Sequence, residues 1–312
     1  MKGMSMKRRT IKLLGLFAVL MASVSVFTAR AELLLYDGFA TETDAQNRAA
    51  YSTGKCSLQS GNAQSVAWTT GLSASKPWSE TSGGVYTFSD NGLSLPAAFT
   101  KETGDQFTAR GGSAGWLGSS TSTDKRAKNR AIDSTMPTSG TLWYRCVMLM
   151  EQGAYDVLKK SSANRYFGMG LSTAAAENSS SNGATLANKG FRVYFATGNA
   201  TAQLCVKVGS NSATLVESFT AGTAYICILG IDYGTGKACA YAAPVADYDE
   251  HFVWTVNDLD ASAITKSAIQ TMYLDGYYLT NGGKVVFDEI AAGTKLSDVA
   301  VIRGRPFMII VR

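Results

Sequence analysis

Short apolar runs separated by turn residues make up most of the chain, and hardly any of them repeat at a helical spacing. Leu33-Leu34-Leu35-Tyr36 leads into Asp37-Gly38-Phe39, and Val85 to Phe88 is closed by Ser89-Asp90-Asn91-Gly92. Thr141 to Met150 is the longest candidate strand; Arg165 to Leu171, Phe191 to Phe195, Gln203 to Val208 and Thr214 to Phe219 follow it. Tyr225 to Tyr233 and Lys237 to Tyr241 flank Gly234-Thr235-Gly236, which is a hairpin pattern. Met272 to Leu279, Val285 to Ile290, Val299 to Ile302 and Phe307 to Val311 complete the set, with Asn281-Gly282-Gly283 as a turn. Ala261 to Ile269 is the one stretch that predicts a short helix. Residues 111–139 and 172–189 read as long polar loops, and loops of that length inside a domain are functional or mobile.

Many short strands with little helix predict an all-β fold, two antiparallel sheets packed face to face in a β-sandwich. Composition agrees. Only 17% of residues are charged and 31 are Gly, a profile of strands joined by polar turns. No internal repeat or composition break divides the chain, so residues 32–302 are expected to form one domain.

The N-terminus changes the electrostatic picture. Lys2, Lys7, Arg8, Arg9 and Lys12 precede an apolar run from Leu13 to Phe27, and Ala29-Arg30-Ala31 supplies small residues for cleavage. Residues 1–31 are therefore expected to be a signal peptide, and the apolar run falls short of the roughly 20 residues that span a bilayer. The whole chain carries +5, and six of its cations (the five above and Arg30) lie in that segment, so the remainder carries −1. Export to the cell surface or exterior is expected, with no transmembrane segment after cleavage. Net basicity gives no reason to expect a nucleic-acid partner.

All five cysteines, Cys56, Cys146, Cys205, Cys227 and Cys239, lie beyond that segment. Cys146, Cys205 and Cys227 sit inside apolar runs and read as small buried hydrophobes. An exported protein can also form one bridge within the Cys205, Cys227 and Cys239 group. No zinc-ligand spacing is present.

Aromatic platforms beside charged or amide groups are what sugar binding requires. Trp143 and Arg145 share one face of their strand, and Tyr273, Asp275 and Tyr277 share one face of another. These five are the candidate ligand-binding residues. Lys125 to Arg130 reads as a solvated basic loop. His251 is the only histidine and follows the acidic run Asp247-Tyr248-Asp249-Glu250, with no nucleophile motif beside it. No catalytic residue is assigned.

The segment Phe287-Asp288-Glu289-Ile290-Ala291-Ala292-Gly293-Thr294-Lys295-Leu296-Ser297-Asp298-Val299 resembles a known ending, DEI-x-x-GT-x-x-x-DV. Exported bacterial proteins of the concanavalin A-like lectin/glucanase superfamily carry it. Tyr36-Asp37-Gly38-Phe39 is similar to the opening strand of that family, and Arg130 followed by Thr141-Leu142-Trp143-Tyr144 to a middle one. Ala291 stands where the motif usually has Arg. The resemblance implies a jelly-roll sandwich whose first and last strands are neighbours, which would bring Asp37 towards Asp288. Asp288 shares its strand face with Ile290 and so needs a partner, either hydrogen-bond donors or a structural Ca2+ ion held with Asp37.

The resemblance does not imply an activity, since the superfamily holds lectins, glycosidases and lyases. Laminarinase-like members use alternating Glu, Asp and Glu; Glu42-Thr43-Asp44 lacks the second Glu. The expected function is a non-catalytic exported protein that binds a polysaccharide or cell-surface glycan, or is otherwise associated with the cell surface. A polysaccharide-degrading enzyme of the same fold or a structural envelope component is the alternative. An apolar strand at Phe307 to Val311 is expected to dock on the sandwich or on a partner.

Overall fold

The alternation of Thr141–Met150 builds the interior. Leu142, Tyr144, Cys146, Met148 and Met150 point into a core between two sheets, while Trp143, Arg145 and Val147 point to the other face. The computed structural model describes residues 33–39, 51, 54–55, 69–70, 72, 78, 86–89, 92–101, 113–117, 125–159, 165–175, 183–197, 201–277 and 283–301. The proposed signal peptide, Cys56, Glu42, Asp44 and the tail 303–312 lie outside them.

Among the described residues, sixteen strands form in chain order. They are β1 (Leu33–Asp37), β2 (Gly54–Lys55), β3 (Thr69–Thr70), β4 (Tyr86–Ser89), β5 (Ser113–Leu117), β6 (Lys125–Ala131), β7 (Thr141–Met150) and β8 (Tyr166–Ser172). Then come β9 (Gly190–Thr197), β10 (Ala202–Val208), β11 (Asn211–Val216), β12 (Ala224–Asp232), β13 (Lys237–Pro244), β14 (Val256–Asp260), β15 (Thr271–Tyr277) and β16 (Lys284–Gly293). A ten-stranded sheet runs β14-β13-β12-β7-β16-β5-β4-β2, with β1 on β16 and β3 on β1. A six-stranded sheet runs β11-β10-β9-β8-β15-β6. All pairings are antiparallel, so the chain is the two-sheet β-sandwich that its pattern predicts.

Between the sheets, Tyr144, Cys146, Cys227 and Phe287 of one meet Phe167, Met169, Phe191, Val193, Phe195, Met272 and Leu274 of the other in one apolar cluster. A second cluster covers the outer face of the ten-stranded sheet, where Leu95, Phe99, Tyr241, Val299 and Val301 surround Val147, Ile226 and Ile228. The β12–β13 turn falls at Gly234-Thr235-Gly236 as expected. Asp232 Oδ1 accepts the N–H groups of Gly234 (2.7 Å) and Thr235 (3.2 Å), and Gly236 takes φ +66°.

Four expectations need correction. Ala261–Ile269 forms turns with no helix, anchored by Ala261 and Ile264 in the core. Val299 to Val301 is not a strand; Leu296–Asp298 is a 3-10 turn, and the residues after it pack over the outer face. The polar stretch 111–139 contains β5 and β6, and its basic run is a strand in which Lys128, Asn129 and Arg130 are buried. The tract 172–189 contains the helix Gly183–Asn188, which packs on the six-stranded sheet. Among the described residues, no helix is long and apolar enough to cross a membrane.

Candidate functional site

An arginine and an aspartate meet on the outer face of the six-stranded sheet. Phe191, Val193 and Phe195 of β9 enter the core, so Arg192 and Tyr194 face outward. On β15 the inward Met272 and Leu274 leave Tyr273 and Asp275 on the same outer face. Between them lies β8, whose outward positions are Tyr166, Gly168 and Gly170. Gly170 pairs with Arg192 and Tyr273, and Gly168 with Tyr194 and Asp275. With no side chain on these glycines, Arg192 crosses β8 and its Nη1 bonds to Asp275 Oδ2.

Two tyrosines bracket that pair. The Arg192 guanidinium carbon lies 3.9 Å from the Tyr166 ring centroid and 4.5 Å from that of Tyr194. Cation–π contact holds the guanidinium in place and leaves its edge for hydrogen bonds. Burial pulls Arg192 down, but Asp275, the foremost of the groups opposing it, holds it above its ordinary value. Burial pushes the Asp275 carboxyl up against the pull of Arg192. Burial, and next the Asp275 charge, push the Tyr166 hydroxyl up to about 12. Lys207, the cross-strand partner of Arg192, is lowered by burial and by the Arg192 charge.

The Tyr166 hydroxyl engages both side chains of the pair, and two further polar atoms lie buried beside it. These are Arg192 Nε, a donor, and Asp275 Oδ1, an acceptor. Arg192 is 6% exposed and Asp275 1%. Buried polar groups are nearly always paired, because an orphan costs about 1–3 kcal/mol.

No protein-family model matches the chain, and no curated protein does either. Some solved structures resemble it in part, at TM-scores below 0.5. The catalytic domain of a glycoside hydrolase family 131 protein from Coprinopsis cinerea is 12% identical, at a TM-score of 0.44 over 63% of this chain and 75% of that one. The globular domain of T. cruzi calreticulin is 10% identical, with a TM-score of 0.40 over 71% and 88% of the two chains. Lectin UEA-II, complexed with galactose, is 9% identical, with a TM-score of 0.40 over 69% and 94%. The side chains of this chain, not those neighbours, carry its chemistry.

The five residues expected to bind ligand are divided between the two sheets. Asp275 is in the charged cluster. Tyr273 shares its face but is fully buried beneath Leu186 and Ala187 of the helix Gly183–Asn188, and its hydroxyl donates to Phe191 O at 3.0 Å. Tyr277 ends β15, and its side chain is outside the described residues. Trp143 and Arg145 share the outer face of the opposite sheet. Trp143 is half-buried, lies against Gly230 and stacks on Trp254 at 5.6 Å. Arg145 is fully buried, 3.5 Å from Glu289 and with its guanidinium 5.3 Å from the Phe99 ring centroid. Its Nη1 donates to Val299 O at 3.3 Å.

Strands β1 and β16 are neighbours, with Asp37 opposite Ile290. Asp37 faces the core: its oxygens accept from Phe39 N at 2.8 Å and from the Tyr51 hydroxyl at 2.5 Å, and Tyr51 in turn accepts from Arg130 at 2.5 Å. Asp288 faces outward and accepts from Leu93 N at 2.6 Å and Glu289 N at 2.7 Å. Ile290 is nonetheless in the core, because a bulge breaks the strand alternation between Asp288 and Ala291. Glu289 takes φ +53° there and turns its carboxylate to Arg145 and to the Tyr36 hydroxyl, 3.1 Å away. Asp37 and Asp288 thus point to opposite faces with their oxygens already used, which does not fit one shared Ca2+ ion. Among the described residues, no group of three or more His, Cys, Asp and Glu gathers to hold a metal.

His251 is exposed, and its N–H donates to Asp249 Oδ1 at 2.8 Å in a surface turn. Cys146, Cys205 and Cys227 are buried as their apolar runs indicate, and the alternative bridge within Cys205, Cys227 and Cys239 does not form. Cys205 faces outward on one sheet, Cys239 outward on the other, and Cys227 inward, so no two of the three meet. Arg192, Tyr166 and Tyr194 were missed by the sequence reading. Their signal was the alternation Tyr-Phe-Gly-Met-Gly in β8 and Phe-Arg-Val-Tyr-Phe in β9, which marks outward positions without showing that they align.

Proposed function

We propose that the chain is an exported carbohydrate-binding protein that does not cleave its ligand, and that the sugar sits on the Arg192–Asp275 cluster. The observation that carries this reading is the Arg192–Asp275 pair set against the rings of Tyr166 and Tyr194 on one outer sheet face. Tyr166 and Tyr194 add ring surface at the same place.

Binding without cleavage is supported by what surrounds the pair. Retaining hydrolysis needs two carboxyls about 5–5.5 Å apart. Asp275 is the one carboxylate among the described strand side chains of that face. A tyrosine acting as proton acceptor needs a lowered hydroxyl, whereas Tyr166 is pushed up to about 12, by burial first. It remains a donor at neutral pH.

Affinity electrophoresis through a panel of soluble neutral and uronate-containing polysaccharides tests the reading. The protein should be retarded by at least one polymer, and the paired variant Arg192→Met/Asp275→Leu should run freely. Absence of retardation by every polymer defeats the proposal. New reducing ends or unsaturated uronate products in the same incubations would replace it with the polysaccharide-degrading alternative.

A further inference from the structure

The core holds a second arrangement, unrelated to the outer face. Cys146 of β7 and Cys227 of β12 are direct cross-strand partners in register. Both side chains point into the space between the sheets, both are fully buried, and both are thiols in this structure.

We infer that Cys146 and Cys227 form a disulfide that joins β7 to β12 from inside the sandwich. Directly opposed residues of an antiparallel pair hold their Cβ atoms about 4.5–5.5 Å apart, and a disulfide spans about 3.5–4.5 Å, so the bond closes with a small approach of the two strands. No other pair of described cysteines is available. Cys205 and Cys239 lie on the outer faces of different sheets, each with a β-sheet between it and the core.

The step is a two-electron oxidation by an external disulfide such as oxidised glutathione. One thiolate attacks that disulfide and expels a thiol, leaving a mixed disulfide. The second thiolate attacks the protein sulfur and expels the other thiol. Two S–H bonds are lost, one S–S bond is formed, and two protons and two electrons end on the released thiols. Burial raises the Cys227 thiol in the closed sandwich and keeps reagents out. The exchange therefore takes place while the chain is folding, before the six-stranded sheet covers the pair.

Thiol mapping after refolding tests this directly. The chain is refolded from denaturant in a mixture of oxidised and reduced glutathione. It is then unfolded again without reductant, treated with N-ethylmaleimide and digested for mass spectrometry. Three of its five cysteines should carry the label, and one cross-linked peptide should join Cys146 to Cys227. Five labelled cysteines, or a bridge that uses Cys56, Cys205 or Cys239 instead, overturns the inference. The same map on protein folded in an oxidising compartment of an expression host gives a second measurement, independent of refolding yield, with the same two outcomes.

Discussion

Arg192 reaches Asp275 across an intervening strand, and only the two glycines of that strand leave room for it. A Cβ on Gly170 would stand 1.8 Å from Phe191 O, and one on Gly168 2.5 Å from the Tyr194 Cβ. Gly170→Ala should therefore push β8 and β9 apart. The expected cost is at the upper end of the 1–3 kcal/mol typical of overpacking, read as a lower midpoint in urea unfolding. A midpoint equal to the wild type would show that β8 has slack next to Arg192.

The Arg192–Asp275 pair is nearly fully buried, so its two members should be strongly coupled. Arg192→Met alone strands a carboxylate and should cost about 3–5 kcal/mol. Arg192→Met/Asp275→Leu removes both charges and should recover most of that loss. A double-mutant cycle by urea unfolding measures the coupling. Additive effects of the two single substitutions would contradict it.

Asp37 makes stability depend on pH. Burial raises its carboxyl from 3.8 to about 6, against the opposing pull of Arg130, Tyr51 and the Phe39 N–H. Folding thus favours the neutral acid. That contribution is complete below about pH 4 and is lost as pH rises through 6, an effect of about 3 kcal/mol at ~1.4 kcal/mol per unit. Asp37→Asn should be less stable than, or equal to, the wild type at about pH 4, and should gain on it by about 2–3 kcal/mol at about pH 7.5. A stability difference that stays constant between those pH values refutes this.

Trp143 lies flat on Gly230, where an added Cβ would sit 2.3 Å from the indole. Gly230→Ala should lift the ring off the sheet and break its stack on Trp254. Tryptophan emission should shift to the red, and the melting temperature should fall by several degrees, as about 1–3 kcal/mol of overpacking implies. An unchanged spectrum would mean that the ring adapts in place.

The two-sheet architecture was legible because alternation is local: each of Leu142, Tyr144, Cys146 and Met148 declares its side by its position. The charged cluster was only half legible. Asp275 could be placed on an outward face, but its partner is 83 residues away, and which strand lies beside which is not written in either segment. The basic run Lys125 to Arg130 looked solvated because charge usually means exposure; the fold instead buries Arg130 against Tyr51. At Asp288 the inference from parity failed for a different reason. One inserted residue, Glu289 in a left-handed conformation, moved Ile290 to the core, and no local pattern announces such a bulge.

Strand β16 has β7 along one edge, while its other edge passes from β5, opposite Lys284–Phe287, to β1, opposite Ile290–Gly293. The earliest strand of the sandwich is thus completed by the latest. A chain made from its N-terminus holds Leu33 to Asp37 without their main partner until nearly all of the remaining sequence has appeared. Such distant pairing slows folding. During synthesis the sheet can therefore close only at the end, and until then its first strand must be kept from pairing with another chain.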